Sequence, residues 1–198
     1  MKLHYLLTTE KKIATAITTY GTTEERIDYT YTGDLITKIE TKEDGILIET
    51  ETFEYNAANK LVTYVALDIL GNIGVKETYV HNTDGSIAVS RFIGDLVTQT
   101  DADGTSMIAF ANGEVSQIAF SSGETKVYTY DTRNNAFRNV IGYPQISFTD
   151  GEAQGNAKNI LKEEINAVPY YEFTYSYTAL DFPLTATENS GAIVNYTY

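Results

Sequence analysis

The chain has 198 residues with 27 acidic and 14 basic side chains, a net charge of −13, and neither cysteine nor tryptophan. Such an acidic surface repels phosphate backbones and anionic lipid, so nucleic acid is excluded as a partner, and the absent cysteines exclude disulfides, thiolate metal sites and a cysteine nucleophile. Tyr (16) outnumbers Phe (8), and Pro is scarce (3), a balance that favours strands and leaves enough apolar surface for one folded domain.

The opening stretch, Met1–Lys12, has an early lysine and several leucines. Its apolar part is too short for a signal sequence and no cleavage site follows, so an export signal is expected to lie outside this chain. No apolar run reaches the roughly 20 residues of a spanning helix, and no membrane span is expected.

From Ile27 onward one unit recurs: an aromatic alternation, a short polar turn, then an alternating apolar strand. It reads "IDYTYTGDLITKI" (Ile27–Ile39), "TFEYNAANKLVTYV" (Thr52–Val65), "ETYVHNTDGSIAVS" (Glu77–Ser90) and "IAFANGEVSQIAF" (Ile108–Phe120). "VYTYDTRNNAF" (Val127–Phe137) and "FTYSYTALDFPLTAT" (Phe173–Thr187) follow, and "IVNYTY" closes the chain with half a unit. The turns are expected near Thr32, Asn56, Asn82, Asn112, Asp131 and Thr178, where Asn, Asp and Gly tolerate positive φ or bond their own backbone. The returns between units are expected at Lys42–Gly45, Asp101–Gly104, Ser121–Gly123 and Asn189–Gly191. Turn signals this frequent mark short antiparallel strands.

Period-two alternation places Tyr171, Phe173, Tyr175 and Tyr177 on one face and Glu172, Thr174 and Ser176 on the other. The pattern lapses at about 138–159, an irregular insertion that is either a long loop or a loop with one helical turn. "NAKNILKEEINA" fits a helix through Leu161 and Ile165, but the repeat context favours a strand at Ile160–Ile165 that pairs through "NAVP" with Tyr170–Tyr177.

The units "FEYNAANKL" (Phe53–Leu61), "YVHNTDGSI" (Tyr79–Ile87) and "YTYDTRNNAF" (Tyr128–Phe137) resemble the tyrosine-aspartate (YD, or RHS-type) repeat. From Arg26 to Tyr198 the chain is also similar to small exported proteins of Bacteroidota, often lipoproteins. Asp131 alone keeps the aspartate after the second aromatic; Asn56 and Asn82 replace it. The resemblance implies a strip of β-hairpins and an exported location, and it brings no known activity.

Few residues point to chemistry. Asp101–Thr105 and Asn82–Ser86 look like fragments of calcium loops, but both lack the remaining ligands of an EF-hand and read as Asp-Gly turns. His4 and His81 are too few for a zinc site, and His81 occupies the second aromatic position of a unit, where Tyr31, Tyr55 and Tyr130 stand in others. Ser121–Gly123 is a turn and not a nucleophile elbow. Glu49, Glu51 and Glu54 on one strand, and Glu163 and Glu164 on another, are the carboxylates from which a glycosidase-like pair would have to come, but the alternation already explains most of them as solvated positions. The tyrosine rows suit either stacking on sugar rings or cross-strand packing, and their recurrence favours packing.

The expected fold is all-β: one domain over 1–198, about a dozen strands in an elongated, twisted antiparallel meander of repeated hairpins that can curl to bury its aromatic face. The expected role is non-catalytic, an exported periplasmic or cell-surface protein that binds a glycan or a cell-envelope protein or acts structurally. No catalytic, metal or cofactor-binding residue is assigned. The alternatives are an enzyme that processes polysaccharide or peptide with a carboxylate pair, and assembly through the terminal strand Ala192–Tyr198.

Overall fold

The computed structural model describes residues 2–7 and 11–196, the first six by backbone alone. Their strands are β1 (Lys2–Leu7), β2 (Ile13–Tyr20), β3 (Thr23–Thr32), β4 (Leu35–Glu43), β5 (Ile46–Tyr55), β6 (Leu61–Asp68), β7 (Ile73–His81) and β8 (Ile87–Gly94). After them come β9 (Gln99–Ala111), β10 (Glu114–Phe120), β11 (Thr125–Tyr130), β12 (Ile160–Ile165), β13 (Val168–Tyr177), β14 (Pro183–Glu188) and β15 (Ile193–Asn195). Every strand pairs antiparallel with its neighbours in sequence, so these 15 strands form one sheet in chain order. It is an all-β, single-domain meander, with three more strands than the dozen expected, partly because β1 and β2 precede the first recognisable unit.

Alternation sets the two faces. Along β3, Ile27, Tyr29 and Tyr31 pack against the buried core, which puts Arg26, Asp28 and Thr30 on the opposite side. The core is continuous: Ile13, Ile36, Tyr64, Tyr79, Ile118 and Tyr128, from six different strands, belong to one buried cluster. A flat sheet cannot bring residues so far apart in strand order into one core. The sheet curls, and β1 approaches β15 to within 8 Å between Cα atoms without a hydrogen-bonded pairing. The expected recruiting edge, Ala192–Tyr198, is thus β15 with β1 beside it; Thr197 and Tyr198 lie outside the described residues.

The recurring second aromatic has a specific task. The Tyr55 hydroxyl donates to the Ile36 carbonyl at 2.6 Å and Tyr130 to Val115 at 2.8 Å; in the last unit Tyr177, at that position, donates to the Asp131 carboxylate, and Tyr175, two residues earlier, donates to the Ile160 carbonyl at 2.9 Å. His81 Nε2 meets the Leu61 carbonyl at 2.8 Å. Each carbonyl acceptor sits at the start of the strand that follows the preceding turn at the same end, so each ring ties its hairpin to the previous one across the curl. Tyr31 makes the related contact by accepting the Ile13 N–H at 3.2 Å. Tyr and His have the polar tip this tie requires. Tyr55→Phe and Tyr130→Phe are each expected to cost about 1 kcal/mol, read from urea midpoints, whereas Phe110, which stands at the equivalent place without a hydroxyl, has no such bond to lose.

Between β11 and β12 the chain leaves the sheet and fills the curl. Val140, Tyr143, Ile146, Phe148 and Ala153 join the core, and a single 3-10 turn spans Tyr143–Gln145. Phe148 meets Tyr79 edge-on at 5.8 Å and Phe110 at 5.9 Å, and Tyr143 stacks on Phe137 at 4.6 Å. Gly142, at φ 83°, lies against β4 so closely that an added Cβ would fall 2.9 Å from the Asp34 carbonyl oxygen. The departure begins at Asp131, earlier than the expected 138, because "VYTY" ends β11 while "DTRNNAF" opens the inserted segment.

Besides the hairpin turn expected near Asp131, where the chain leaves the sheet, one expected return between units is overturned. Asp101–Gly104 does not reverse the chain; it lies inside β9, opposite Arg91 and Phe92, where the register slips. Gly104 at φ 110° provides the positive φ of a bulge, which an Asp-Gly pair supports as readily as a turn. The chain reverses instead at Asp95–Thr98, where the Asp95 carboxylate accepts the N–H groups of Val97 and Thr98 at 2.8 Å each. Asn82–Ser86 is the expected turn, closed by Asn82 N–H to the Ser86 carbonyl at 2.9 Å. The strand expected at Ile160–Ile165 is β12, and "NAVP" holds the turn to β13 at Asn166–Ala167, both at positive φ.

Candidate functional site

Charged side chains in phase with the apolar face have no water to meet unless the curl leaves a gap, so they are the places to look for chemistry. On β5 the alternation that buries Phe53 also turns Glu49 and Glu51 inward, while Glu54 points out and is exposed. Glu49 and Glu51 line a pocket of about 210 Å³ with Tyr29, Thr41, Tyr143 and Gln154, between the sheet and the inserted segment. The Tyr64 hydroxyl donates to Glu51 Oε1 at 2.7 Å. Burial pushes the Glu51 carboxyl up to about 7, with Glu49 and Asp150 adding to the rise and the Tyr64 bond opposing it. Glu49 is raised by burial and then by Asp150, Asp68 and Glu25.

Beside this pocket the inserted segment is clamped by ions. Arg91 Nη1 reaches Glu77 at 2.8 Å and Asp150 at 2.6 Å, and its Nε reaches Asp103 at 3.2 Å. Glu77, 2% exposed, also accepts the Asp150 N–H at 2.9 Å and the Tyr79 hydroxyl. Burial works against the Arg91 charge, but Asp150 and Glu77 outweigh it and hold the guanidinium above its ordinary value. Lys126 pairs in the same way with Glu152. Glu163 faces inward, buried beside Tyr128, and its carboxyl is raised by burial and then by Glu152; Glu164 faces out to Lys162 at 2.8 Å.

A second pocket, of about 470 Å³, is lined by Glu114, Tyr130, Asp131 and Lys158 among others, and its acids are occupied. Glu114, 5% exposed, accepts three backbone N–H groups, from Asn156 at 2.8 Å, Ala157 at 2.7 Å and Lys158 at 3.0 Å. Asp131 accepts Arg133 N–H at 3.0 Å, Asn159 N–H at 3.1 Å, Asn159 Nδ2 at 2.8 Å and the Tyr177 hydroxyl. Asn134 and Arg133 meanwhile hold Leu180 and Asp181 of the last full hairpin. The conspicuous "YDTRNNAF" and "YTALDF" stretches therefore hold each other, and the aspartate of the unit acts as a fastener.

Of the carboxylates singled out by sequence, Glu49 and Glu51 share a pocket, Glu54 and Glu164 face outward, and Glu163 is buried near Lys126. His81 serves as a tie, and the His4 side chain lies outside what is described. Among the described residues no group of three or more His, Asp or Glu is placed to hold a metal. The tyrosine row of β13 is half-buried on the inner face, with successive ring centroids 6.1, 6.3 and 6.0 Å apart, so it does not form an open platform for sugars. Sequence reasoning missed Arg91, Glu77, Glu114 and Lys126. The signal was there for three of them: Arg91 is in phase with Ile87 and Val89, Glu77 with Tyr79, and Lys126 with Tyr128.

The Glu51 shift fixes a pH dependence. Its folded value near 7 lies above the ordinary 4.5, so its contribution to stability is complete at low pH and is lost as pH rises from about 4.5 through 7. Glu51→Gln, which copies the protonated acid, is expected to raise the urea midpoint at pH 8 and leave it unchanged at pH 4. A variant with the parent's midpoint at both pH values would show that Glu51 titrates normally.

No protein-family model and no curated protein matches this chain. Among solved structures it is similar to a porin-like protein from Bacteroides uniformis at 13% identity and a TM-score of 0.50, covering 97% of this chain and 86% of that one. At that identity the likeness is one of fold: both chains share the β-meander. No helix among the described residues is long and apolar enough to cross a membrane. The outer face bears directly on a lipid-facing barrel. Mid-strand it carries Asp28 between Arg26 at 2.8 Å and Lys42 at 3.0 Å, and Lys38 with Glu40 at 2.6 Å. A lipid-exposed band is apolar, and charges there are costly.

Proposed function

We propose that the protein is a non-catalytic component of the bacterial cell envelope, exported and facing water, that works as a scaffold through contacts on its surface. The observation that carries this reading is the filled interior: residues 131–159 occupy the curl, and Arg91, Lys126, Glu77, Glu114 and Asp131 are all engaged in holding them. An envelope role is supported by the likeness to the porin-like Bacteroides protein and by the resemblance of the units to exported YD-type hairpins. The ion pairs on the outer face support a water-facing location for the domain.

A second reading has one observation in its favour. Glu49 and Glu51 share a pocket, and an acid near 7 beside another carboxylate is what a hydrolase uses for proton transfer. The test separates the two. The natural full-length protein is followed by cell fractionation, and the purified chain is assayed against panels of polysaccharides and peptides. Recovery in the envelope fraction with no turnover is the expected result. Turnover that Glu49→Gln or Glu51→Gln abolishes would replace the scaffold with an enzyme, and recovery in the cytosol would remove the envelope assignment.

A further inference from the structure

In a meander with strict sequential pairing the turns alternate between two ends, and here the two ends differ in chemistry. One end is made of the turns after β2, β4, β6, β8, β10, β12 and β14. Six of those seven turns carry or adjoin an exposed large apolar side chain: Tyr20 50%, Ile46 65%, Leu70 74%, Val97 85%, Val168 64% and Ile193 52% exposed. The other end has Val80 beside the turn after β7, and Leu180 and Leu184 at the turn after β13; its remaining described short turns are built from Asn, Asp, Gly, Ser, Thr, Ala and Lys.

The charges divide in the same way. Glu43, Asp44, Asp68, Asp95, Glu124 and Glu188 lie in or directly beside the seven turns of the apolar end, and no Lys or Arg does. Lys60, Arg133, Arg138 and Lys158 sit at the opposite end, where they are mixed with Asp34, Asp84 and Asp181. Exposed apolar tips are costly to keep on a soluble surface without a partner, and the acids between them determine which partner is welcome.

We infer that this rim of hairpin tips docks a basic, amphipathic polypeptide segment, whose apolar side chains cover Ile46, Leu70 and Val97 while its Lys and Arg residues meet the interleaved carboxylates. An anionic lipid surface is repelled by the same acids. The spacing fits a helix: turns two strands apart are separated by about 10 Å, and two helical turns advance about 11 Å. One face of a helix can therefore place an apolar residue on each successive tip. The inference deepens the surface-contact reading by naming where the contact lies and the chemistry of what binds.

The absence of tryptophan allows a clean reporter. Val97→Trp places one at the rim, and Leu180→Trp, at a residue 76% exposed, places one at the other end. The probe is a synthetic twenty-residue amphipathic helix of Lys and Leu, compared with its Glu and Leu counterpart and with zwitterionic and anionic lipid vesicles. The expected result is a saturable blue shift of the Val97→Trp emission with the Lys peptide alone, and no shift from Leu180→Trp. Adding Ile46→Ser and Leu70→Ser to the reporter is expected to weaken binding at least tenfold, as is Glu43→Lys with Glu188→Lys; all four sites are at turns and outside the core. Three outcomes would overturn the inference: no saturation by the Lys peptide, an equal response to the Glu peptide or to vesicles, or an equal response at Leu180→Trp. None of these depends on where the protein resides or whether it turns over a substrate, so the rim can fail while the scaffold reading stands.

Discussion

Phe148→Ala is expected to destabilise the protein by about 3–5 kcal/mol and, at this chain length, to lower its melting temperature by about 10 °C. The ring comes from the inserted segment, is 6% exposed, and sits edge-on to Tyr79 of β7 and Phe110 of β9. Removing it leaves a cavity between the segment and two strands that their own hydrogen bonds hold apart, so the site cannot collapse to fill it. The Arg91–Asp150 pair, two residues along, should weaken with it, and protease sensitivity within 131–159 should rise. Pro144→Ser in the same segment, at an exposed residue, is the control and is expected to stay within about 0.5 kcal/mol of the parent. A loss below about 1 kcal/mol for Phe148→Ala would mean that the segment rests on the sheet without completing its core.

Asp131→Ala is the second large effect, at about 3 kcal/mol. It removes the acceptor for two backbone N–H groups, the Asn159 side chain and the Tyr177 hydroxyl; the N–H of buried Asn159 loses its acceptor, and its side-chain amide keeps only the Asn134 carbonyl at 3.0 Å. Tyr177→Phe alone is expected to cost about 1 kcal/mol. Because the two groups share one bond, their effects should fall short of additivity in a double-mutant cycle. Strict additivity would show that Tyr177 and Asp131 act separately and that the inserted segment and the last full hairpin are not fastened to each other there. Neither variant touches Glu49 or Glu51, so both leave the enzyme test under Proposed function intact.

Both effects lie where sequence reading and structure diverge. "VYTYDTRNNAF" reads as one more hairpin, and its first half is β11, but Asp131 sends the chain inward because its acceptors are satisfied by Asn159 and Tyr177, 28 and 46 residues away. No local propensity reports a partner at that distance. Asp101–Gly104 fails for a different reason: an Asp-Gly pair satisfies a bulge and a turn equally, and the choice fell to the register of β9 against β8. The alternation reads Glu49 and Glu51 as solvated, and the structure turns both inward, in phase with Phe53. That they share a pocket, and that burial raises both, required Tyr143 and Gln154 from a segment about 90 residues on.

The alternation of Tyr, Thr, Val and Ile, with Asn, Asp and Gly between, by itself determined that the chain forms short antiparallel strands joined in sequence, and it determined the inner face of each strand, because a period of two leaves no other way to separate apolar from polar side chains. It also carried the recurrence of the second aromatic, whose hydroxyl or imidazole tip ties one hairpin to the previous one. Only the tertiary structure decided that the strip curls, that residues 131–159 fill the curl, that the tyrosine row is consequently inside, and that the exposed apolar tips gather at one acidic end. Those outcomes depend on how far the twist of each strand pair accumulates over fifteen strands and on contacts between residues dozens of positions apart, neither of which a local pattern encodes.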